Sequence, residues 1–128
     1  LPPRILRPKV QGKTAGINAE VCYALRDKAE DPDDPTSALR WYFGLDDRGR
    51  SLVDPKDFII TREGGPDQVI CFKPNPVTRR NWEGCAPTPI MVLDPHPLNN
   101  RDDYTVQTCW RKIEIVFPYM PQLHVLKR

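Results

Sequence analysis

Proline restricts the fold of this chain more than any other residue, because 15 of its 128 residues are prolines. That share is more than twice the average of about 5%. Proline fixes φ near about −65° and donates no backbone hydrogen bond, so it interrupts helices and sheet interiors. We therefore expect short elements and stiff loops around one modest core, in a single domain spanning residues 1–128.

Neither the charge nor the hydropathy of the chain points to a particular class of partner. A formal net charge of +2 indicates neither nucleic acid nor a membrane surface by itself. No apolar run approaches the roughly 18 residues of a membrane-spanning helix. Because the chain begins at Leu1 rather than Met, we expect that a leader was removed or that the sequence was trimmed. The prediction is a monomer without membrane contact.

The four cysteines indicate an oxidising compartment. They are Cys22, Cys71, Cys85 and Cys109. They form no CxxC pair and lie far from the histidines in sequence, which argues against a zinc site. An even cysteine count in a small chain is typical of a secreted protein with two disulfides. Of three connectivities we favour the nested one, Cys22–Cys109 with Cys71–Cys85; four free thiols in a cytosolic protein are the alternative.

The first third of the chain predicts a basic arm followed by a helix. Residues 1–13 carry four basic residues, no acid and three prolines, which indicates an extended segment. It could serve an anionic partner or form a terminal strand. Residues Asn18–Asp31 have an N-cap, an early glutamate and apolar residues at helical spacing, and Pro32 follows. Period-two alternation of Val21, Tyr23 and Leu25 is a weaker signal for a strand, which is the alternative to the helix.

The rest of the chain predicts strands. An alternating hairpin at 37–53, short apolar runs at 57–61, 68–72 and 90–93, and a long run at 104–117 are separated by turn residues. The long run changes its apolar face near Arg111, which predicts a bulge or strong twist there. The fold class is therefore α+β, with one N-terminal helix packed on a twisted antiparallel sheet and two disulfides. If 18–31 is a strand, the alternative is an all-β sandwich.

Three short segments resemble secreted fungal ribonucleases and ribotoxins. They are "RPKVQGK" at 7–13, "GGPDQVICFKPN" at 64–75 and "CAPT" at 85–88. The resemblance implies a helix laid on an antiparallel sheet. Gln68 stands where the family has a phosphate-binding arginine, and Pro87 stands where it has the catalytic histidine. Neither residue can supply acid–base chemistry or a cation.

The resemblance therefore implies a ribonuclease-like scaffold without its chemistry, as in the catalytically inactive effectors of plant-pathogenic fungi. Such a protein is secreted, can be translocated into a host cell, and acts by binding. Its partner would be a host protein, an immune receptor or RNA. No cofactor and no metal are expected.

The loop between Cys71 and Cys85 carries the residues that we predict bind a partner: Lys73, Arg79, Arg80 and Trp82. Arginine presents a planar fork to phosphate or carboxylate, and tryptophan offers a stacking face. In the alternative interpretation the tryptophan packs back on the sheet and the loop is merely solvated.

A second hypothesis is an active ribonuclease or other hydrolase. Its acid and base would come from Glu63, His96 or His124, although nothing in the sequence brings these residues together. The aspartate pairs at 33–34 and 46–47 do not have the spacing of a calcium loop and are explained as turn residues.

Overall fold

The computed structural model describes residues 1–7, 11–97 and 100–113. Within these ranges the chain forms strands and one three-residue 3₁₀ turn, Thr36–Ala38. The strands are β1 Arg4–Ile5, β2 Gly12–Gly16, β3 Val21–Ala24, β4 Ala29–Glu30, β5 Arg40–Phe43, β6 Phe58–Arg62, β7 Val69–Pro74, β8 Gly84–Leu93 and β9 Arg101–Arg111.

Two sheets form the body of the protein. The larger has the order β2-β9-β8-β5 and the smaller the order β3-β7-β6; β1 and β4 form a separate two-stranded pair. All pairings are antiparallel except that of β2 with β9, which is parallel. The larger sheet is therefore mixed, whereas the sequence predicted a purely antiparallel one.

The core lies between the two sheets. The Tyr23 hydroxyl from the smaller sheet is 2.7 Å from the Thr108 hydroxyl of the larger, and the rings of Phe72 and Trp110 meet edge to face at 5.7 Å. All four residues are fully buried. Side chains alternate between the two faces of a strand, so every second residue of β3, β7 and β9 enters this layer.

The prediction of a helix at residues 18–31 is wrong, and with it the α+β fold class. The segment contains β3 and β4, and the described part of the chain has no α-helix. Val21, Tyr23 and Leu25 are at most 4% exposed, which is the two-residue period of a strand. Asn18 adopts φ 65° in a turn instead of capping a helix. The structure is mostly β, as the alternative interpretation of this segment required.

β8 is a ten-residue strand although it contains two prolines. The sequence predicted only residues 90–93 of it. Pro87 and Pro89 have the same parity as Cys85, whose Cα lies 4.0 Å from that of Cys109, the close spacing of a non-hydrogen-bonded pair. Backbone groups at these positions therefore point away from β9, toward the side of β5, which pairs with residues 90–93. Just beyond β5, the Gly44 N–H donates to the Pro89 carbonyl at 2.8 Å, and the Gly44 carbonyl accepts the Leu52 N–H at 2.9 Å in place of the N–H that Pro89 lacks. The two prolines therefore remove no hydrogen bond to β9.

Two disulfides are present as predicted, but their pairing differs from the nested one. Cys22 bonds to Cys71 across β3 and β7, and Cys85 bonds to Cys109 across β8 and β9. Each pair consists of direct register partners. Cys22 and Cys109 lie on the outer faces of different sheets, about 10 Å apart between sheets, so they cannot join. Two disulfides are compatible with an extracellular protein.

The predicted basic arm is extended but attached. Ile5 is 3% exposed in the core, Arg4 forms an ion pair with Glu30, and Lys13 donates to the carbonyl of Cys22. The part of the arm at 8–10 and the end of the long run at 114–117 lie outside the described residues. The described part of the chain contains no helix that could span a membrane.

Candidate functional site

The loop from Asn75 to Trp82 connects the two sheets and is fixed by its first residue. The Asn75 side-chain oxygen accepts the backbone N–H of Val77 at 2.9 Å, and its carbonyl accepts the N–H of Arg79 at 2.9 Å. The Asn75 amide nitrogen donates to the Pro55 carbonyl at 3.0 Å. An asparagine that bonds its own turn in this way stabilises one loop conformation.

A second contact fixes the far end of the loop. Asn18 and Asn81 exchange two hydrogen bonds: the Asn18 amide donates to Asn81 Oδ1 at 2.8 Å, and Asn81 N–H donates to Asn18 Oδ1 at 2.9 Å. Both residues have positive φ, 65° and 54°, a region that asparagine tolerates better than most residues. The loop is therefore joined to the turn between β2 and β3.

Arg79 is directed into the protein. Its guanidinium lies 4.5 Å from the centre of the Trp82 ring and 5.3 Å from that of Phe58. It also forms an ion pair with Asp57 at 3.2 Å. An arginine with a carboxylate partner and two aromatic faces is committed to contacts within the chain.

Trp82 packs back on the sheet, as the alternative interpretation of this loop supposed. Its ring centre lies 6.0 Å from that of Phe58 and 5.8 Å from that of Trp110. A Cβ at Gly84 would overlap the Trp82 indole, so glycine at this position makes room for the ring. The tryptophan face is not free for stacking with a partner.

Arg80 and Val77 form the outward side of the loop. Arg80 is exposed, and Val77 is 85% exposed, the largest value among the exposed large hydrophobic residues of the described chain. Lys73 is half-buried on β7 opposite Ile59, just before the loop. Sequence reasoning missed Val77; an apolar residue between Pro76 and Thr78 in a turn was the available signal.

Gln68 and Pro87, the two residues that depart from the ribonuclease pattern, occupy different environments. Gln68 is fully buried at φ 57°. Its side chain donates to the Thr36 carbonyl at 2.7 Å, and its own carbonyl accepts the Leu25 N–H at 2.9 Å. No substrate can reach it in this conformation. Pro87 is exposed on β8.

The predicted hydrolytic residues lie apart. The Glu63 carboxylate accepts the N–H of Phe43 at 3.1 Å, at the last residue of β5. His96 lies three residues after Leu93, which pairs with Arg40, the first residue of β5. Glu63 and His96 therefore lie near opposite ends of β5, and the three residues from Arg40 to Phe43 separate these ends by about 10 Å. His124 lies outside the described residues.

A comparison with family models and with curated protein sequences finds no match for this chain.

Proposed function

We propose that this chain is a secreted, non-enzymatic protein that binds another protein through the loop from Asn75 to Trp82. The observation that carries the proposal is that this loop is held at both ends yet presents Val77 and Arg80 to solvent. The role corresponds to that of an effector acting on a host protein or immune receptor.

Preorganisation makes this loop a favourable contact surface. Ordering an interface side chain on binding costs about 0.5–1.5 kcal/mol, and ordering a loop costs more. Here the bonds made by Asn75, Asn81 and Arg79 have already fixed the backbone. Arg80 is then available for a carboxylate of the partner, with Val77 in an apolar contact beside it.

A protein partner is favoured over RNA. Recognition of single-stranded RNA depends on aromatic side chains that stack on bases. Trp82 is the aromatic residue of this loop, and its ring is occupied by Phe58, Trp110 and Arg79. The exposed residues of the loop include one cation, Arg80, and one large aliphatic group, Val77, a combination that suits a protein surface carrying a carboxylate.

The non-enzymatic part of the proposal is supported by the separation of Glu63 from His96. General acid–base catalysis requires both groups within hydrogen-bond reach of one substrate. Incubating the protein with single-stranded RNA tests the hydrolase alternative, with Glu63→Gln, His96→Ala and His124→Ala as controls. We expect no cleavage; cleavage that any of these substitutions abolishes contradicts the proposal.

Site-specific photo-crosslinking tests the binding surface. A photoreactive amino acid replaces Val77 in one sample and Leu52 in the other, because Leu52 is a 53% exposed apolar residue on a different loop. Each protein is irradiated in extracellular fluid of plant tissue. We expect one discrete product from position 77 that unlabelled wild-type protein competes away, and none from position 52.

The competitor variants sharpen the assignment. Arg80→Glu should fail to compete, because it places an anion against the partner's carboxylate, whereas Arg48→Glu on a remote turn should compete like wild type. Equal labelling from both positions, or full competition by Arg80→Glu, would contradict the assignment of this loop as the binding surface. Competition by single-stranded RNA would contradict the choice of a protein partner.

A further inference from the structure

Two aspartates and a histidine from two loops meet beyond the end of β8. They are Asp34, Asp94 and His96, and one potential ligand atom of each lies within 4.8 Å of the others. His96 Nε2 is 2.9 Å from Asp34 Oδ2. The backbone N–H of His96 donates to Asp94 Oδ1 at 3.1 Å, which holds the histidine close to the second carboxylate.

The carboxylate of Asp94 is buried and only partly hydrogen-bonded. The residue is 4% exposed, and its Oδ2 finds no hydrogen-bond donor among the described residues. A buried carboxylate without a counter-charge is strongly unfavourable, and buried charges are normally paired or coordinated to a metal. This orphan oxygen belongs to a side chain that reaches the His96–Asp34 pair, so the cluster is more than a group of surface acids.

The surroundings of the cluster are also acidic. Asp31 Oδ2 is another buried carboxylate oxygen without a donor in the described part of the chain. The N-terminal ammonium of Leu1 pairs with the neighbouring Asp33 at 2.7 Å. That hydrogen bond, reinforced by Asp31 and Asp94, raises the pKa of the ammonium. The local field favours a positive ion.

We propose that Asp34, Asp94 and His96 bind a divalent transition-metal ion, for which Zn²⁺ is the best fit. Zinc takes imidazole nitrogen and carboxylate oxygen at about 2.0–2.2 Å, usually with four ligands. Two such ligands at a tetrahedral angle lie about 3.4 Å apart, so the Asp34–His96 pair needs to open only slightly.

Access and ligand number also suit zinc. The side chain of His96 is 47% exposed and that of Asp34 is 13% exposed, which leaves an entry path and room for water as a fourth ligand. Calcium prefers six to eight oxygen ligands, more than this cluster offers. The bound ion would join the loop that contains Asp34 to the connection between β8 and β9.

The metal site is independent of the proposed binding loop. Residue 82 lies just before β8 and Asp94 follows its last residue, so a strand of ten residues, about 30 Å long, separates them. Loss of zinc binding would leave the crosslink at position 77 unaffected. Loss of that crosslink would likewise leave zinc binding unaffected.

Calorimetry with tag-free protein tests the assignment, with ZnCl₂ as the titrant. We expect one ion per chain and a rise in the thermal midpoint on zinc addition. His96→Ala, which changes an exposed side chain, should weaken zinc binding about a hundredfold or more, beyond the 10–100-fold typical of outer-shell partners. Asp94→Asn should abolish the zinc-induced rise without lowering the midpoint of the metal-free protein, because it removes a buried charge.

Two matched controls locate the ion. Asp47→Asn changes an exposed aspartate of a remote turn, and His124→Ala removes the other histidine of the chain; both should bind zinc like wild type. No binding at millimolar zinc, unchanged affinity in His96→Ala and Asp94→Asn, or binding of CaCl₂ in preference to ZnCl₂ would each overturn the proposal.

Discussion

Replacing Trp82 by alanine should destabilise the protein by about 3 kcal/mol. Truncation of a buried tryptophan costs about 3–5 kcal/mol, and the lower end applies because Trp82 is only partly buried. The loss includes aromatic pairs with Phe58 and Trp110 at 6.0 and 5.8 Å, worth about 0.5–1.5 kcal/mol each beyond their area. The cation–π contact with Arg79 adds about 0.5–1 kcal/mol.

Urea unfolding followed by circular dichroism measures this difference. With a slope of about 1.5 kcal/mol per molar urea, the Trp82→Ala midpoint should fall by about 2 M. Arg80→Ala is the matched substitution on the exposed side of the same loop, and it should change stability by less than about 0.5 kcal/mol. If both variants unfold like wild type, Trp82 does not pack on the core and this account of the loop is refuted.

Three further predictions concern the sheets. Gly84→Ala should displace the Trp82 indole and shift tryptophan fluorescence toward that of exposed indole, whereas unchanged emission would contradict the packing. Mass spectrometry after non-reducing digestion should recover the two cross-strand disulfides described above, and a nested pair would contradict the sheet register. Burial raises the pKa of Tyr104 to about 12. Because the folded pKa exceeds the unfolded value of about 10, the stabilisation from the neutral phenol is complete below about pH 10 and is lost as pH rises toward about 12. Burial also raises the pKa of Tyr23, so alkaline titration of tyrosinate absorbance should show a late rise from these two tyrosines; titration of every tyrosine near pH 10 would contradict it.

The error at residues 18–31 shows why local pattern did not decide this fold. Val21, Leu25 and Ala29 satisfy helical spacing, while Val21, Tyr23 and Leu25 satisfy strand spacing. The strand pattern prevailed because the Tyr23 ring stacks on Phe72 of the neighbouring strand β7, while its hydroxyl meets that of Thr108 on the opposite sheet. Tertiary contacts of this kind are not visible in a short window of sequence.

The disulfides were predictable in number but not in pairing. An even cysteine count in a proline-rich chain indicates two bonds. The choice of partner depends on which sheet and which face each cysteine occupies, and that follows only from the strand register.

The candidate sites were predictable in part. The sequence identified the loop with Arg79, Arg80 and Trp82, but not that two of these residues turn inward. Asp34 and His96 are 62 residues apart in sequence. They come into contact because of where β8 ends in the fold, and no local sequence motif indicates that position.

The proposed function requires that the loop from Asn75 to Trp82 is fixed in the free protein with Val77 and Arg80 outward. Backbone ¹⁵N relaxation across the loop measures this rigidity. We expect order parameters for Val77 to Asn81 near the value of rigid backbone, about 0.85. Values below about 0.6, typical of flexible segments, would contradict it.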